Sequence, residues 1–176
     1  MLGLLALQAQ AQFRVEVSGV GLTQIPVAIS SFRGDDQSPQ KIAAIVQADL
    51  ERSGQFKPLD TAPGLDETAR PDLSAIRLRG ADALVAGSVS RLADGRYDVR
   101  FRLWDTVRNQ DLGGQSHAVP AGDLRLTAHR IADFVYERLT GDKGIFSPRL
   151  TYVTKAGSTY RLWVADADGE NAQPAF

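Results

Sequence analysis

The chain has 176 residues, 43% apolar and 23% charged, the balance of an ordinary folded domain with room for one good core. A formal net charge of −1 gives no general affinity for nucleic acid or anionic membrane. The absence of Cys excludes a disulfide framework, a thiolate nucleophile and a cysteine metal site.

The chain opens on MLGLLAL followed by Ala9-Gln10-Ala11. An apolar run before a small-x-small site reads as a secretory signal peptide, residues 1–11, whose cleavage leaves Gln12 first. The run is short and no Lys or Arg precedes it, so this signal is expected to be incomplete at its start. The competing reading is a mildly apolar terminus. No other stretch approaches the ~20 apolar residues that span a bilayer.

Phe13 to Val17 alternates apolar and polar residues, as a half-buried strand does. Ser18 to Gln24, with Gly19 and Gly21, is a flexible link. Tethered in this way, the strand can be the plain first strand of the sheet, or it can add to a partner's sheet edge through its backbone. Ile25 to Phe32 is a second strand. Its apolar part, IPVAI, suits coverage on both faces, with Pro26 at the strand start or at an edge.

Ser38-Pro39 reads as N-cap and first position of a helix. Its stripe is Ile42, Ile45, Val46 and Leu50, and Gly54 ends it. Phe56 to Leu59 is a short extended return, Thr61 to Pro71 a loop, and Asp72 to Arg79 a short helix with Leu73 and Ile76 inward.

Ala83 to Thr106 is the centre of the design. Asp94-Gly95 between two strand-forming runs predicts a hairpin with a two-residue type I′ turn. That loop pairs Tyr97 with Leu92, Val99 with Ser90, Phe101 with Ser88 and Leu103 with Ala86, and sets Asp98 opposite Arg91. One face is then large and apolar, ready for helices. The other carries Arg96, Asp98, Arg100 and Arg102 and is at least partly wet. Asp111 to Val119 adds a third antiparallel strand.

Asp123 to Thr140 is the strongest helix, with Leu124, Ala128, Ile131, Val135 and Leu139 in one stripe. Burying Leu124, Ile131, Val135 and Leu139 contributes on the order of 6–12 kcal/mol before entropy is charged. Gly141 closes it. Beyond Gly144 the character changes to Leu150–Lys155 and Tyr160–Ala165, two strands linked at Gly157-Ser158. A tight turn at Asp166-Ala167-Asp168-Gly169 and a polar tail follow. A lone hairpin is marginal in water, so Tyr152, Leu162 and Trp163 imply a larger sheet of which these are the first strands.

Little in the chain points to catalysis. His117 and His129 stand without a second ligand at metal spacing, and both read as structural. Asp166-x-Asp168-Gly169 resembles the start of a calcium loop but lacks the acidic residue at its twelfth position. Gly34-Asp35-Asp36 before the Ser38 helix is the one place for a small-molecule or nucleotide site. It has no phosphate-loop pattern, and its carboxylates repel phosphate. The Arg91, Arg96, Arg100 and Arg102 cluster is interleaved with Asp94 and Asp98 and reads as a solvated sheet face. No cofactor and no metal are expected.

Several stretches taken together carry a family resemblance: IPVAISSF, KIAAIVQADLERSGQFKPLD, ADALVAGSV, LADGRYDVRFRLWDT, RIADFVYERLTGDKGIFSPRLTYV and YRLWVADADGEN. In this order they resemble the TolB family of the Tol-Pal cell-envelope system, over essentially the whole chain from Gln12. The resemblance implies an α+β fold, a mixed β-sheet covered by helices over residues 12–146. The start of a first β-propeller blade follows over 147–176. It implies a periplasmic, non-catalytic role in outer-membrane integrity and cell division. It also implies that the mature N-terminal segment binds a TolA-type inner-membrane protein. At matching positions that segment is Gln12, Phe13, Arg14, Val15, Glu16, Val17, Ser18, Gly19, Val20, Gly21 and Leu22. A Pal-type lipoprotein is implied as a partner of the propeller, so no residue of this chain is assigned to it. The alternative function is a small-molecule or nucleotide-processing domain with its site at Gly34 to Ser38.

Overall fold

The computed structural model describes residues 24–60 and 65–175. Five strands form the first sheet: β1 (Ile25–Ile29), β2 (Phe56–Asp60), β3 (Ala83–Arg91), β4 (Tyr97–Asp105) and β5 (Gln110–Val119). Their order is β2-β1-β3-β4-β5. β1 runs parallel to both neighbours, and β3, β4 and β5 are antiparallel. The parallel connections are helical, as parallel strands require: α1 (Ile42–Arg52) joins β1 to β2, and α2 (Leu73–Leu78) lies between β2 and β3. The mixed sheet with covering helices is the expected α+β arrangement. Pro26 sits at the start of β1, although β1 lies inside the sheet; its carbonyl still accepts from Asp82 N at 2.7 Å.

The main core lies between the helical face of the sheet and the pair α1 and α3 (Leu124–Thr140). Ile42, Val46 and Leu50 of α1, and Leu124, Ile131 and Val135 of α3, are fully buried. They meet Val85, Val99, Phe101 and Leu103 of the sheet. The stripes read from sequence spacing are therefore the contact faces, with Ile45 and Leu139 at the margin. The opposite face is covered over only part of its width. There α2 places Leu73 and Ile76 on Ala28, Leu84, Ala86 and Trp104. Beyond Trp104, β4 and β5 expose Arg100, Arg102 and Ser116.

The central hairpin differs from expectation by one residue. Leu92 N donates to Arg96 O at 2.8 Å and Gly95 N to Leu92 O at 3.0 Å, so Ala93, Asp94 and Gly95 form a three-residue loop. Gly95 takes the left-handed position, φ +86°. The pairs are Arg91 with Tyr97, Val89 with Val99, Gly87 with Phe101 and Val85 with Leu103. Asp98 thus faces Ser90, not Arg91. One extra loop residue moves every β3 side chain to the other face, which puts Val85 and Val89, rather than Ala86 and Ser88, beside Phe101 and Leu103.

The start of α1 is also displaced. Ser38 is extended, and the helix begins at Ile42. The cap is supplied from further back by Asp35, whose carboxylate accepts Ile42 N at 2.8 Å and Ala43 N at 3.2 Å. Asp35 sits in a 3₁₀ turn, Asp35–Gln37, that Gly34 enters at φ +80°. In α2 the cap is local and as expected: Asp72 Oδ1 accepts from Ala75 N at 3.0 Å. Gly141, φ +82°, closes α3, and its N–H donates to Glu137 O.

The C-terminal strands are β6 (Arg149–Ala156), β7 (Thr159–Asp166) and a short β8 (Gln173–Pro174), ordered β6-β7-β8. Tyr152 stacks on Trp163 at 6.4 Å, yet β6 is exposed along its length. The path from α3 into β6 is held by Asp133. Its carboxylate accepts Phe146 N at 2.7 Å and Ser147 N at 3.1 Å. Gly144 presses onto Asp133 so closely that a Cβ there would overlap it.

Candidate partner-binding site

The expected partner segment, Gln12 to Leu22, lies outside the described residues, as does the Phe13–Val17 strand. What the structure defines is the point from which that segment departs. Ile25 N donates to Gln55 O at 2.9 Å, and the Gln24 side chain donates to Gly54 O at 3.1 Å. The chain therefore enters β1 at the corner where α1 turns into β2. Gly54, φ +73°, forms that corner.

The loop considered for a small molecule, Gly34 to Ser38, is organised around the fold's own charge. Asp35 occupies the α1 N-terminus, where an anion would bind. Lys41 Nζ donates to the Asp35 and Asp36 carbonyls at 2.9 and 2.8 Å. Burial pushes the Asp35 carboxyl above its usual range. The two backbone N–H donors and Lys41 oppose that rise. A depression of about 490 Å³ lies alongside, lined by Gln37, Ser38, Ser90, Arg91 and Tyr97. Its helix terminus is already taken, so the arrangement does not hold a phosphate.

The two His residues have different settings. His117 lies on β5, with Nε2 3.1 Å from Gln115 Oε1. Burial, followed by the nearby Arg130 charge, holds its imidazole below the usual range. His129 is buried in α3, with Nδ1 2.6 Å from Asp49 Oδ2 of α1. Its Nε2 faces Asp166 and Asp168 of the C-terminal turn at 3.9 and 4.0 Å. Sequence reading placed no acidic group near it, because Asp49 and Asp168 come from distant segments. Their carboxylates are engaged by the protein. Arg52 holds Asp49 at 2.9 Å, and Arg125 holds Asp166 at 3.0 Å and also Asp168. A guanidinium on those oxygens repels a metal ion, so the cluster serves as an ionic junction between α3 and the turn after β7.

That turn is a strand-linking turn. Gly169 N donates to Asp166 O at 2.9 Å and Asp166 N to Glu170 O at 3.0 Å. Of the expected arginine face, Arg100 pairs with Asp98 at 2.7 Å and Arg96 with Asp94 at 2.7 Å, whereas Arg91 lies opposite Tyr97, on the other face of the sheet. The contribution missing from the sequence reading is Arg102 with Asp111 at 2.6 Å, set by the β4–β5 pairing. Among the described residues, no helix is long and apolar enough to cross a membrane.

Comparison with known proteins matches this architecture to one family. The model of the TolB amino-terminal domain matches residues 13–112. The Tol-Pal system protein TolB of Albidiferax ferrireducens is 72% identical over 177 residues, covering 100% of this chain and 42% of that protein. That of Polaromonas naphthalenivorans is 67% identical, covering 97% of this chain and 40% of that protein. The crystal structure of TolB from Acinetobacter baumannii superposes with a TM-score of 0.74 at 30% identity, covering 87% of this chain and 38% of that one. The chain thus spans about two fifths of the length of these relatives. Its mixed sheet with covering helices is the fold that the crystal structure shares, and the chain belongs to the TolB family.

Proposed function

We propose that the chain is a non-catalytic, periplasmic interaction module of the Tol-Pal envelope system, supporting outer-membrane integrity and cell division. Residues 12–146 form its α/β unit, residues 147–176 begin a propeller, and residues 1–11 are a signal peptide. Gln12 to Leu22 recruit a TolA-type inner-membrane protein, with Phe13–Val17 adding as a strand to the partner's sheet. The observation that carries this reading is the family match, which begins at Phe13. The geometry supports it. The chain enters β1 beside an exposed corner at Gly54. No assembled set of nucleophile, base and oxyanion donors competes with it among the described residues. A Pal-type lipoprotein is proposed as a partner of the whole protein, through the propeller of the longer relatives.

Calorimetry of the full chain against the C-terminal domain of a TolA-type protein tests the proposal. Binding is expected with the chain intact and lost on deletion of Gln12 to Leu22, with the melting temperature little changed. Binding that survives the deletion, or unfolding caused by it, overturns the assignment of that segment.

A further inference from the structure

The sheet has two edges, and they are finished differently. β2 is five residues long and carries Lys57 and Pro58. A short strand, a lysine and a proline without an N–H are the devices that stop an edge from accepting another strand. β5 is ten residues long and carries only Asp111 as a charge. Its outer side has no partner among the described residues. A bulge at Leu112, with Gly113 at φ +96°, interrupts its first part, and from Gly114 to Val119 the register is regular with no charge or proline to blunt the edge.

Beside this edge, on the face that α2 leaves uncovered, lies a trough of about 810 Å³. Its floor is β4 and β5, where Arg102 pairs with Gly114 and Arg100 with Ser116. Gly114 lies so close to the β4 backbone that a Cβ there would overlap the Phe101 carbonyl. Its far wall is the loop Glu67 to Pro71 ahead of α2. Arg70, Arg100 and Arg102 line it. Arg70 is exposed, and Arg102 and Asp111 are 45% and 42% exposed. Exposed pairs of this kind are worth little, so an incoming carboxylate can replace Asp111 on Arg102 at small cost. One wall group asks for a donor instead. Glu67 Oε2 is buried with no hydrogen-bond partner among the described residues. Arginines that take carboxylates, an orphan acceptor that takes an N–H and an open strand edge are together the complement of an extended peptide. Glu67 and Asp111 would repel a polyanion such as a nucleic acid.

We propose that the β5 edge and this trough form a second interaction surface, which takes an extended acidic segment of a partner protein as an added strand. Main-chain bonds to β5 supply affinity, and Arg70, Arg100 and Arg102 select acidic side chains at alternate positions. The surface is independent of Gln12 to Leu22.

The test is an NMR titration of the full chain with a capped peptide of alternating Val and Glu, about ten residues long. Its Val/Lys counterpart and inorganic phosphate are the controls. Shifts at Arg102, Gly114 and Ser116 are expected with the Val/Glu peptide alone. Affinity should fall about tenfold in the Arg70→Gln, Arg102→Gln double variant, and it should fall as salt rises. Both substitutions are on exposed side chains, so the variant's unchanged melting temperature serves as the folding control. No shifts at millimolar peptide, equal shifts with the Lys peptide, or shifts reproduced by phosphate would overturn the proposal. So would binding seen only after Gln12 to Leu22 are removed, because the edge would then belong to the chain's own N-terminal strand.

Discussion

Replacing Asp35 tests the balance between capping and desolvation at the start of α1. Its two oxygens accept the Ile42 and Ala43 N–H groups, and the residue is 7% exposed. Losing a capping side chain costs about 0.5–2 kcal/mol, and a buried unpaired N–H costs about 1–3 kcal/mol. Against this, Asp35→Ala removes a carboxylate whose charged form is disfavoured by burial. The net expected loss is about 2 kcal/mol. At roughly 2–4 °C per kcal/mol for a chain of this size, the melting temperature falls by about 4–8 °C. Asp35→Asn keeps one acceptor and should lose about half as much. The pH dependence is the sharper test. The folded carboxyl lies above its ordinary value of 3.8. Its contribution is therefore complete below that value and is lost as pH rises through the folded value. Wild type should gain on Asp35→Asn as the buffer is taken from about pH 7 to about pH 4. Melts followed by circular dichroism read both effects, and the other carboxylates cancel between the two proteins. If wild type gains on the variant as pH rises instead, the helix N-terminus outweighs desolvation and the reasoning fails.

Three further substitutions probe other parts of the fold. His117→Gln should remove a pH dependence of the opposite sense. The imidazole is held below its ordinary 6.5, so its contribution is present above that pH and is lost as pH falls through the folded value. Wild type should then lose ground to the variant on acidification, and parallel melting curves would contradict this. Gly87→Ala should destabilise by about 1–3 kcal/mol. The added Cβ would lie 2.6 Å from Phe32 Cε2 and closer still to the Arg100 carbonyl; an unchanged denaturant midpoint would refute it. Arg125→Met should leave Asp166 and Asp168 buried without their cation, a loss of about 3–5 kcal/mol. In a Trp104→Phe background, Trp163 fluorescence should then report the β6–β7 hairpin loosening before the α/β unit melts. A single shared transition would show that the junction does not hold the hairpin.

Periodicity was the legible part. The spacing of Ile42, Val46 and Leu50, and of Leu124, Ile131 and Val135, predicted the buried faces of α1 and α3, because a helix can bury only one stripe. The collinear stretches from IPVAISSF to YRLWVADADGEN pointed to the family before any coordinates. The hairpin register was not legible in the same way. An Asp-Gly pair serves a two-residue turn or the end of a three-residue loop equally well, and the choice rests on whether Val85 and Val89 or Ala86 and Ser88 fill the core beside Phe101. The cap of α1 was misplaced because Ser38-Pro39 satisfies the local rule, while Asp35 reaches the helix through a turn that only the packed chain creates.

The site followed the same division. The expected partner segment, Gln12 to Leu22, rests on the family resemblance and lies outside the described residues. The arginine trough, the orphan oxygen of Glu67 and the unequal finish of the two sheet edges required strand order, which no local pattern states. His129 makes the point most plainly. In sequence it is a lone histidine on a helix. In the fold it stands between Asp49, 80 positions earlier, and the turn of Asp166 and Asp168. Local chemistry determined the elements and the family, because propensities and apolar spacing act over a few residues. Which polar groups meet was decided by tertiary packing, because burial brings distant carboxylates to one imidazole and leaves them little water to turn to.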